Sequence, residues 1–202
     1  MTTFTANPIP ISFRKPNSFV VGYWLLIMCA MVLVMVILGG VTRLTHSGLS
    51  MVVWKPLTGW LPPLTTDEWQ HVFLLYTETP EFKKINFEMD LDDFKSIFWL
   101  EYLHRLWGRI IGIIFLLPFF YFLLRGWINR VLASKLIFIF MLDMVQGVLG
   151  WFMVKSGLSD RPDVSHYRLT AHLAVAVILY AYLFWIALEQ LRDRIENNLY
   201  NM

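Results

Sequence analysis

The stretch "IIGIIFLLPFFYFLL", residues 110–124, contains no charged side chain and follows directly on "EYLHRLWGR", residues 101–109. A helix needs about 20 predominantly apolar residues to cross the hydrocarbon core of a bilayer. Together with the residues from about 98 onward, which include the charged ones, the stretch reaches that length. It therefore predicts a transmembrane helix. The shorter stretch places four ionisable side chains at the entrance of this helix, and their presence there needs an explanation.

The rest of the chain has the composition of a membrane protein. Of its 202 residues 57% are hydrophobic and 16% are charged, whereas about 25% of residues are charged in soluble domains. Long apolar segments without alternation indicate helices rather than barrel strands. We therefore predict an all-α integral membrane protein, with a four-helix bundle over residues 19–190. The predicted spans cover residues 19–41, 98–124, 131–154 and 167–188.

Lysine and arginine set the predicted orientation, because short cytoplasmic loops are enriched in them. Basic residues flank the spans on one side of the membrane: Arg14, Lys15, Arg125, Arg130, Lys135, Arg192 and Arg194. The N-terminus and the C-terminus are therefore predicted to be cytoplasmic (N-in, C-in), with a leader over residues 1–18 and a tail over residues 191–202. The long loop over residues 42–97 is predicted to lie outside. The net charge of +2 is too small to indicate a nucleic-acid partner.

The outer loop is predicted to carry a short helix on the membrane surface. In "PPLTTDEWQHVFLLY", residues 62–76, Thr66 before Asp67 and Glu68 is a helix start signal. The apolar residues that follow recur at helical spacing. A second helical run, "MDLDDFKSIFWLEYLHR", residues 89–105, is predicted to continue into the second span.

Two histidines occupy matching positions in the second and fourth spans. His104 lies about 9 Å inside the second span and His172 about 8 Å inside the fourth, at 1.5 Å per helical residue. Both helices run from outside to inside, so the two imidazoles lie near the same leaflet. Two histidines on facing helices of a bundle can hold a haem through its iron. We predict His104 and His172 as axial ligands, and the alternative for each is a hydrogen bond between helices.

The other charges of "EYLHRLWGR" lie on the same helical stripe as His104. Because the guanidinium fork matches a carboxylate, we predict that Arg105, Arg109 and, above His172, Arg168 contact the haem propionates. Glu101 has two interpretations, a chemical role or an ion pair with Arg105 at the i, i+4 spacing.

Further polar residues carry weaker signals. On the third span Asp143, Gln146, Gly147 and Gly150 form a second inward stripe, and Asp143 is interpreted as a packing anchor or as a proton or cofactor contact. His46 is expected to be an exposed loop residue rather than a cofactor contact. The remaining histidines, His71 and His166, are expected at the membrane interface. No spacing typical of a zinc site is present.

Three motifs in order resemble the haem A synthase family, in its alphaproteobacterial and mitochondrial branch. They are "GGVTRLTHSGLSMVVWKPLTGWLPPL" (39–64), "EYLHRLWGR" (101–109) and "DVSHYRLTAHLAVA" (163–176). The resemblance implies an oxidoreductase that converts the C8 methyl of haem O to a formyl group in two hydroxylations and a loss of water. It implies that His104 and His172 serve the substrate haem and that Glu101 takes part in the oxidation. It also implies the bacterial cytoplasmic membrane, rather than the mitochondrial inner membrane.

The family has eight spans in two four-helix halves, and its second half holds a haem b that supplies electrons. This sequence matches the first half only. We therefore expect one haem here, and an oxidation that needs a second half or a second copy of the chain. The implied partners are haem O, the lipid bilayer, haem O synthase and cytochrome oxidase assembly factors. The alternatives are a b-type cytochrome that transfers electrons and an inactive remnant or assembly partner.

Overall fold

The computed structural model describes residues 18–55, 58–158 and 164–200. In these residues the chain forms six helices and no strand. Four helices are long and apolar enough to cross a bilayer, namely α1, α4, α5 and α6 as far as Arg192. The chain is therefore an all-α membrane protein, as predicted. The helices are α1 (Ser18–Leu44), α2 (Thr66–Thr77), α3 (Pro80–Lys84), α4 (Leu91–Leu124), α5 (Arg130–Gly157) and α6 (His166–Tyr200).

Helix α1 lies between the two helices that carry the predicted haem ligands. It packs against α4 on one side and against α6 on the other, and α6 packs in turn against α5. No comparable packing joins α4 to α6 in the described ranges. The rings of Phe115 on α4 and Phe140 on α5 stack with their centroids 6.1 Å apart, so α4 also contacts α5.

The helix α4 extends further than the predicted span. It begins at Leu91 rather than near residue 98, and the Asp90 side chain caps it by accepting hydrogen bonds from the amides of Asp92 and Asp93, each 2.9 Å long. A carboxylate at this end is also favoured by the helix dipole. The helical run predicted ahead of the span is thus confirmed.

Two tryptophans fasten α1 to α4 inside the bundle. The indole of Trp107 donates to the Met31 carbonyl at 2.9 Å, and the indole of Trp24 donates to the Ile114 carbonyl at 3.0 Å. The second bond has a local cause. Pro118 lies four residues after Ile114 and has no N–H, so the Ile114 carbonyl lacks its usual helical donor.

The predicted surface helix is present as α2, with one correction to its start. Its N-cap is Thr65 rather than Thr66, and a capping box joins Thr65 and Glu68. A glutamate three residues after a threonine forms this box, so the spacing favours Thr65. The short helix α3, which the sequence analysis did not predict, starts at Pro80 with Thr79 as its cap. Both helices are held to the start of α4 by an aromatic cluster of Tyr76, Phe94, Phe98 and Tyr102.

Candidate functional site

His104 lies on α4 against a glycine of α1. A Cβ atom at Gly39 would stand 3.0 Å from the Cε1 atom of His104, closer than carbon atoms normally approach. The absence of a side chain at Gly39 therefore gives the imidazole its room. The neighbouring Gly40 has open space around its own Cβ position, with nothing within 4 Å.

His172 on α6 has an equivalent neighbour on α5. A Cβ atom at Gly150 would stand 3.5 Å from the Cε1 atom of His172. The Gln146 side chain, one turn away on α5, donates a hydrogen bond to the His172 carbonyl at 3.0 Å. The inward stripe predicted for α5 is therefore confirmed at these two positions.

The two imidazoles share an unusual feature. The Nδ1 atoms of His104 and His172 are both buried, and neither has a hydrogen-bond partner within the described residues. His172 also lies within electrostatic reach of His104. Buried polar atoms are nearly always hydrogen-bonded, so two exceptions at neighbouring histidines are the kind of atoms that a bound ligand would engage.

Two glycines of the bundle helices have open space beside them. A Cβ atom added at Gly112 on α4 or at Gly147 on α5 would meet nothing within 4 Å. A flat ring can approach a helix closely where side chains are absent. The unpartnered imidazoles and these glycines therefore fit a haem.

Glu101, at the entrance of the site, is only 2% exposed. It forms an ion pair with Arg105. Its Oε2 atom also accepts hydrogen bonds from the Ser50 hydroxyl and from the Met51 amide, each 2.7 Å long. The ion pair expected from the i, i+4 spacing is thus present, and three donors surround the Glu101 carboxylate.

Arg105 and Arg109 hold the loop that follows α1. Arg105 donates to the Met51 carbonyl at 3.1 Å and lies 5.1 Å above the Trp54 ring. Arg109 donates to the Lys55 carbonyl at 2.8 Å. We call residues 47–55 the clamp loop, because the charges of α4 fasten it over the outer end of the bundle. The sequence analysis assigned these arginines to propionates, whereas the structure engages both of them with this loop.

Arg168 on α6 is placed differently from the other two arginines. Its guanidinium group lies 4.5 Å above the ring of Phe152 on α5. Among the described residues no acid forms an ion pair with it, and it lies one turn from His172. Three arginines were predicted to contact propionates. Of these, Arg168 is the one that the described part of the structure leaves available to bind an anion.

The other three histidines stand apart from the site. His46 is exposed, as expected from the sequence, and His71 and His166 are also exposed. His46 adopts a left-handed backbone conformation with a φ of 53° in the turn after α1. This conformation is uncommon for residues other than glycine.

Ser50 and Gly39 belong to the site, and the sequence analysis assigned a role to neither. Both lie in the quoted motif "GGVTRLTHSGLSM", so the motif itself was the available signal. Ser50 and its partner Glu101 are 51 positions apart. No periodicity connects residues at such a separation.

Comparison with known proteins identifies the family of the chain. A family model described as Cytochrome oxidase assembly protein (COX15-CtaA) matches residues 22–201. The chain is 57% identical to a Heme A synthase of Paramagnetospirillum magneticum, over 86% of the chain and 49% of that relative. It is 54% identical to a Heme A synthase of Nitrosospira multiformis, over 85% of the chain and 48% of the relative.

A third relative, a Heme A synthase of Nitrosomonas eutropha, is 47% identical over 93% of the chain and 53% of its own length. The chain thus spans about half the length of the curated relatives that it matches. No solved structure matches it. Because the family model covers nearly all of the sequence, the chain belongs to the COX15-CtaA family of cytochrome oxidase assembly proteins.

Proposed function

We propose that this chain is the part of a haem A synthase that binds the haem O substrate and positions it for oxidation of its C8 methyl group to formyl. The observation that carries the proposal is the pair of buried Nδ1 atoms of His104 and His172, which have no hydrogen-bond partner within the described residues and lie on helices that both pack against α1. The Heme A synthase names of the relatives support this choice of substrate and reaction.

In this proposal His104 and His172 are the residues that would hold the haem iron. Gly39 and Gly150 give the two imidazoles their positions on α4 and α6. The bound haem supplies the iron chemistry of methyl oxidation, and the protein supplies orientation and electrostatics.

Arg168 is proposed to bind a propionate of the haem. Its guanidinium group is held above Phe152 and has no ion pair with an acid of the described residues. A planar guanidinium can bind a carboxylate through two parallel hydrogen bonds. Arg105 and Arg109 contribute by fixing the clamp loop over the outer end of the site.

Glu101 is proposed as the acid that takes part in the oxidation. It stands one helical turn from His104, and the Ser50 hydroxyl donates to its Oε2 atom at 2.7 Å. That hydroxyl gives Glu101 a route by which to exchange a proton. A Glu101→Gln variant that keeps haem but loses oxidation supports this role, whereas one that loses haem assigns Glu101 to the structure of the site.

The cellular setting follows from the same proposal. The four spans lie in the bacterial cytoplasmic membrane with both flanks of the bundle inside, so that the clamp loop and α2 lie outside. The oxidation draws electrons from a haem b held by a further four-helix half or by a second copy of the chain. Haem O synthase and cytochrome oxidase assembly factors are the proposed partners that supply haem O and receive haem A.

The test is the haem content of the purified chain. The chain is expressed in a bacterial host that makes haem O and lacks its own haem A synthase, and extracted haem is identified by its reduced spectrum. We expect haem in the wild type and a loss of at least tenfold in His104→Ala and in His172→Ala. His71→Ala, at an exposed histidine, is the matched control and should keep its haem.

Co-expression separates binding from oxidation. The chain is co-expressed with the part of the Paramagnetospirillum magneticum relative that it does not cover. Haem A should then appear in the extract. Bound haem that stays unoxidised in this experiment would instead favour an electron-transfer protein. A folded wild-type chain that contains no haem would overturn the proposal.

The propionate contact is tested with a modified ligand. The wild type should bind protohaem more tightly than its dimethyl ester, which lacks the carboxylates. Arg168→Gln should reduce this preference by about tenfold, equivalent to about 1.4 kcal/mol. An unchanged preference would remove Arg168 from the site.

A further inference from the structure

A small cavity lies between the four membrane helices, and one acid faces it. Its volume is about 20 Å³, enough for one water molecule. Every other side chain around it is apolar. The cavity is lined by Met28 and Val32 from α1, Ile111 and Phe115 from α4, Ile139, Phe140 and Asp143 from α5, and Leu179 and Leu183 from α6.

The cavity lies on the same faces of α4 and α6 as the two histidines. Ile111 follows His104 by seven residues and Leu179 follows His172 by seven residues. Residues separated by two helical turns share a face, and seven residues span about 10 Å. Asp143 precedes Gly150, the neighbour of His172, by the same seven residues. The cavity is therefore the floor of the histidine site, about 10 Å deeper in the bundle.

Asp143 has no hydrogen bond or ion pair with any described residue. The groups that α1, α4 and α6 present to it are all apolar and cannot titrate. A carboxyl group inside a membrane bundle is costly to retain without a partner and indicates a functional site. In this cavity the available partners are a proton and a water molecule.

Gln146 supplies a second polar group beside Asp143. Its Oε1 atom is buried and has no partner among the described residues, while its Nε2 atom is bound to the His172 carbonyl. Asp143 and Gln146 are three residues apart and therefore lie on one face of α5. A single water can bridge two such groups, because a buried water needs two or more polar partners.

We propose that Asp143, the cavity and the Gln146 amide oxygen form a proton-binding water site whose occupancy is linked to the oxidation state of the haem held by His104 and His172. With an added reductant as the electron donor, the Asp143 carboxylate would take up one proton supplied by the solvent buffer and form an O–H bond, which would offset the charge that the electron adds. Charges about 10 Å apart in a low-dielectric interior interact strongly enough for such linkage. The link to haem rests on the proposed function; the proton site itself does not.

The experiment is infrared difference spectroscopy of the haem-loaded chain during electrochemical reduction. We expect the carbonyl band of a protonated carboxyl group to appear on reduction and to shift in D₂O. Asp143→Asn should abolish this band. Glu189→Gln is the matched control, because Glu189 pairs with Lys135 on α5 and lies outside the cavity. The band should survive in this control.

Asp143→Leu provides a second variant without the carboxyl group, in which an apolar side chain fills the cavity. A reduction-linked carboxyl band that persists in both Asp143 variants would overturn the proposal. If the chain binds no haem, the proposed function fails, and the haem-free chain still tests the proton site. An exchangeable carboxyl band that responds to pH and depends on Asp143 would then support the site, and its absence would overturn it.

Discussion

The indole N–H of Trp24 on α1 donates a hydrogen bond to the backbone carbonyl of Ile114 on α4. In a regular helix the amide of residue 118 would donate to this carbonyl, but residue 118 is a proline. The Trp24 side chain thus satisfies a carbonyl that Pro118 leaves without its helical donor. Trp24 and Ile114 lie in different spans, and the bond between them is 3.0 Å long.

This relationship predicts a non-additive pair of substitutions. Trp24→Phe removes the donor and leaves a buried carbonyl unsatisfied, which costs about 1–3 kcal/mol. In a Pro118→Ala background the carbonyl regains a backbone donor, so the same substitution should cost about 1 kcal/mol less. Unfolding of the four variants in detergent measures the difference. Equal losses of stability in both backgrounds would show that Trp24 does not compensate for Pro118.

Gly39 and Gly40 form a natural pair for testing the position of His104. Replacement of either glycine by alanine favours the helix by up to about 1 kcal/mol. Only at Gly39 does the new Cβ atom stand 3.0 Å from the imidazole, whereas at Gly40 it meets nothing within 4 Å. Gly39→Ala should therefore weaken haem binding by about tenfold, or about 1.4 kcal/mol, and Gly40→Ala should leave it unchanged. Haem titration of both variants checks this, and equal affinities would show that Gly39 does not position His104.

Ser50 is predicted to hold the clamp loop against α4. Ser50→Ala removes a hydrogen bond to a buried charged group, and such bonds contribute about 1.5–3 kcal/mol. The amide of Met51 should then exchange with solvent deuterium at least tenfold faster, because the loop opens more often. The control is Ser134→Ala, since the Ser134 hydroxyl bonds only a carbonyl on its own helix. Unchanged exchange at Met51 would show that the other contacts of Glu101 suffice.

Helix α2 should lose stability in acid. The pKa of Glu68 is lowered below its ordinary value of 4.5 by hydrogen bonds from the amides of Leu64 and Thr65. A carboxyl group with a lowered folded pKa contributes stability above its unfolded pKa and loses that contribution as the pH falls through the folded value. Hydrogen exchange in α2 should therefore accelerate as the pH is lowered below about 4.5.

The matching variant for this titration is Glu68→Gln. It keeps the shape of the capping box and has no charge to lose. Once the intrinsic pH dependence of exchange is subtracted, the variant should show a flat profile over the same pH range. A variant that follows the wild-type profile would assign the acid sensitivity to another group.

The spans and the histidine pair could be predicted from the sequence because their signals are local. An uncharged run such as residues 19–41 is long enough to identify a transmembrane helix. The depths of His104 and His172 follow from counting residues along such helices. The start of α2 was predicted within one residue, since Thr65 and Thr66 are both possible caps and only the position of Glu68 distinguishes them.

The partners of the charged residues could not be predicted, because they lie far away in the sequence. The cost of placing Glu101 and Arg105 in the membrane was expected to be reduced by a ligand bound against their helical stripe. In the structure it is offset by their ion pair and by backbone groups of Met51, about 50 positions away along the chain. Likewise, the role of Gly39 depends on α1 lying beside α4, which no property of α1 alone specifies.

The position of α1 has a consequence for how this site can change. Because α1 packs against both α4 and α6, side chains on α1 influence the spacing of the two helices that carry His104 and His172. In the proposed haem site, a larger or smaller side chain on α1 would therefore change the gap between the two histidines without altering either of them.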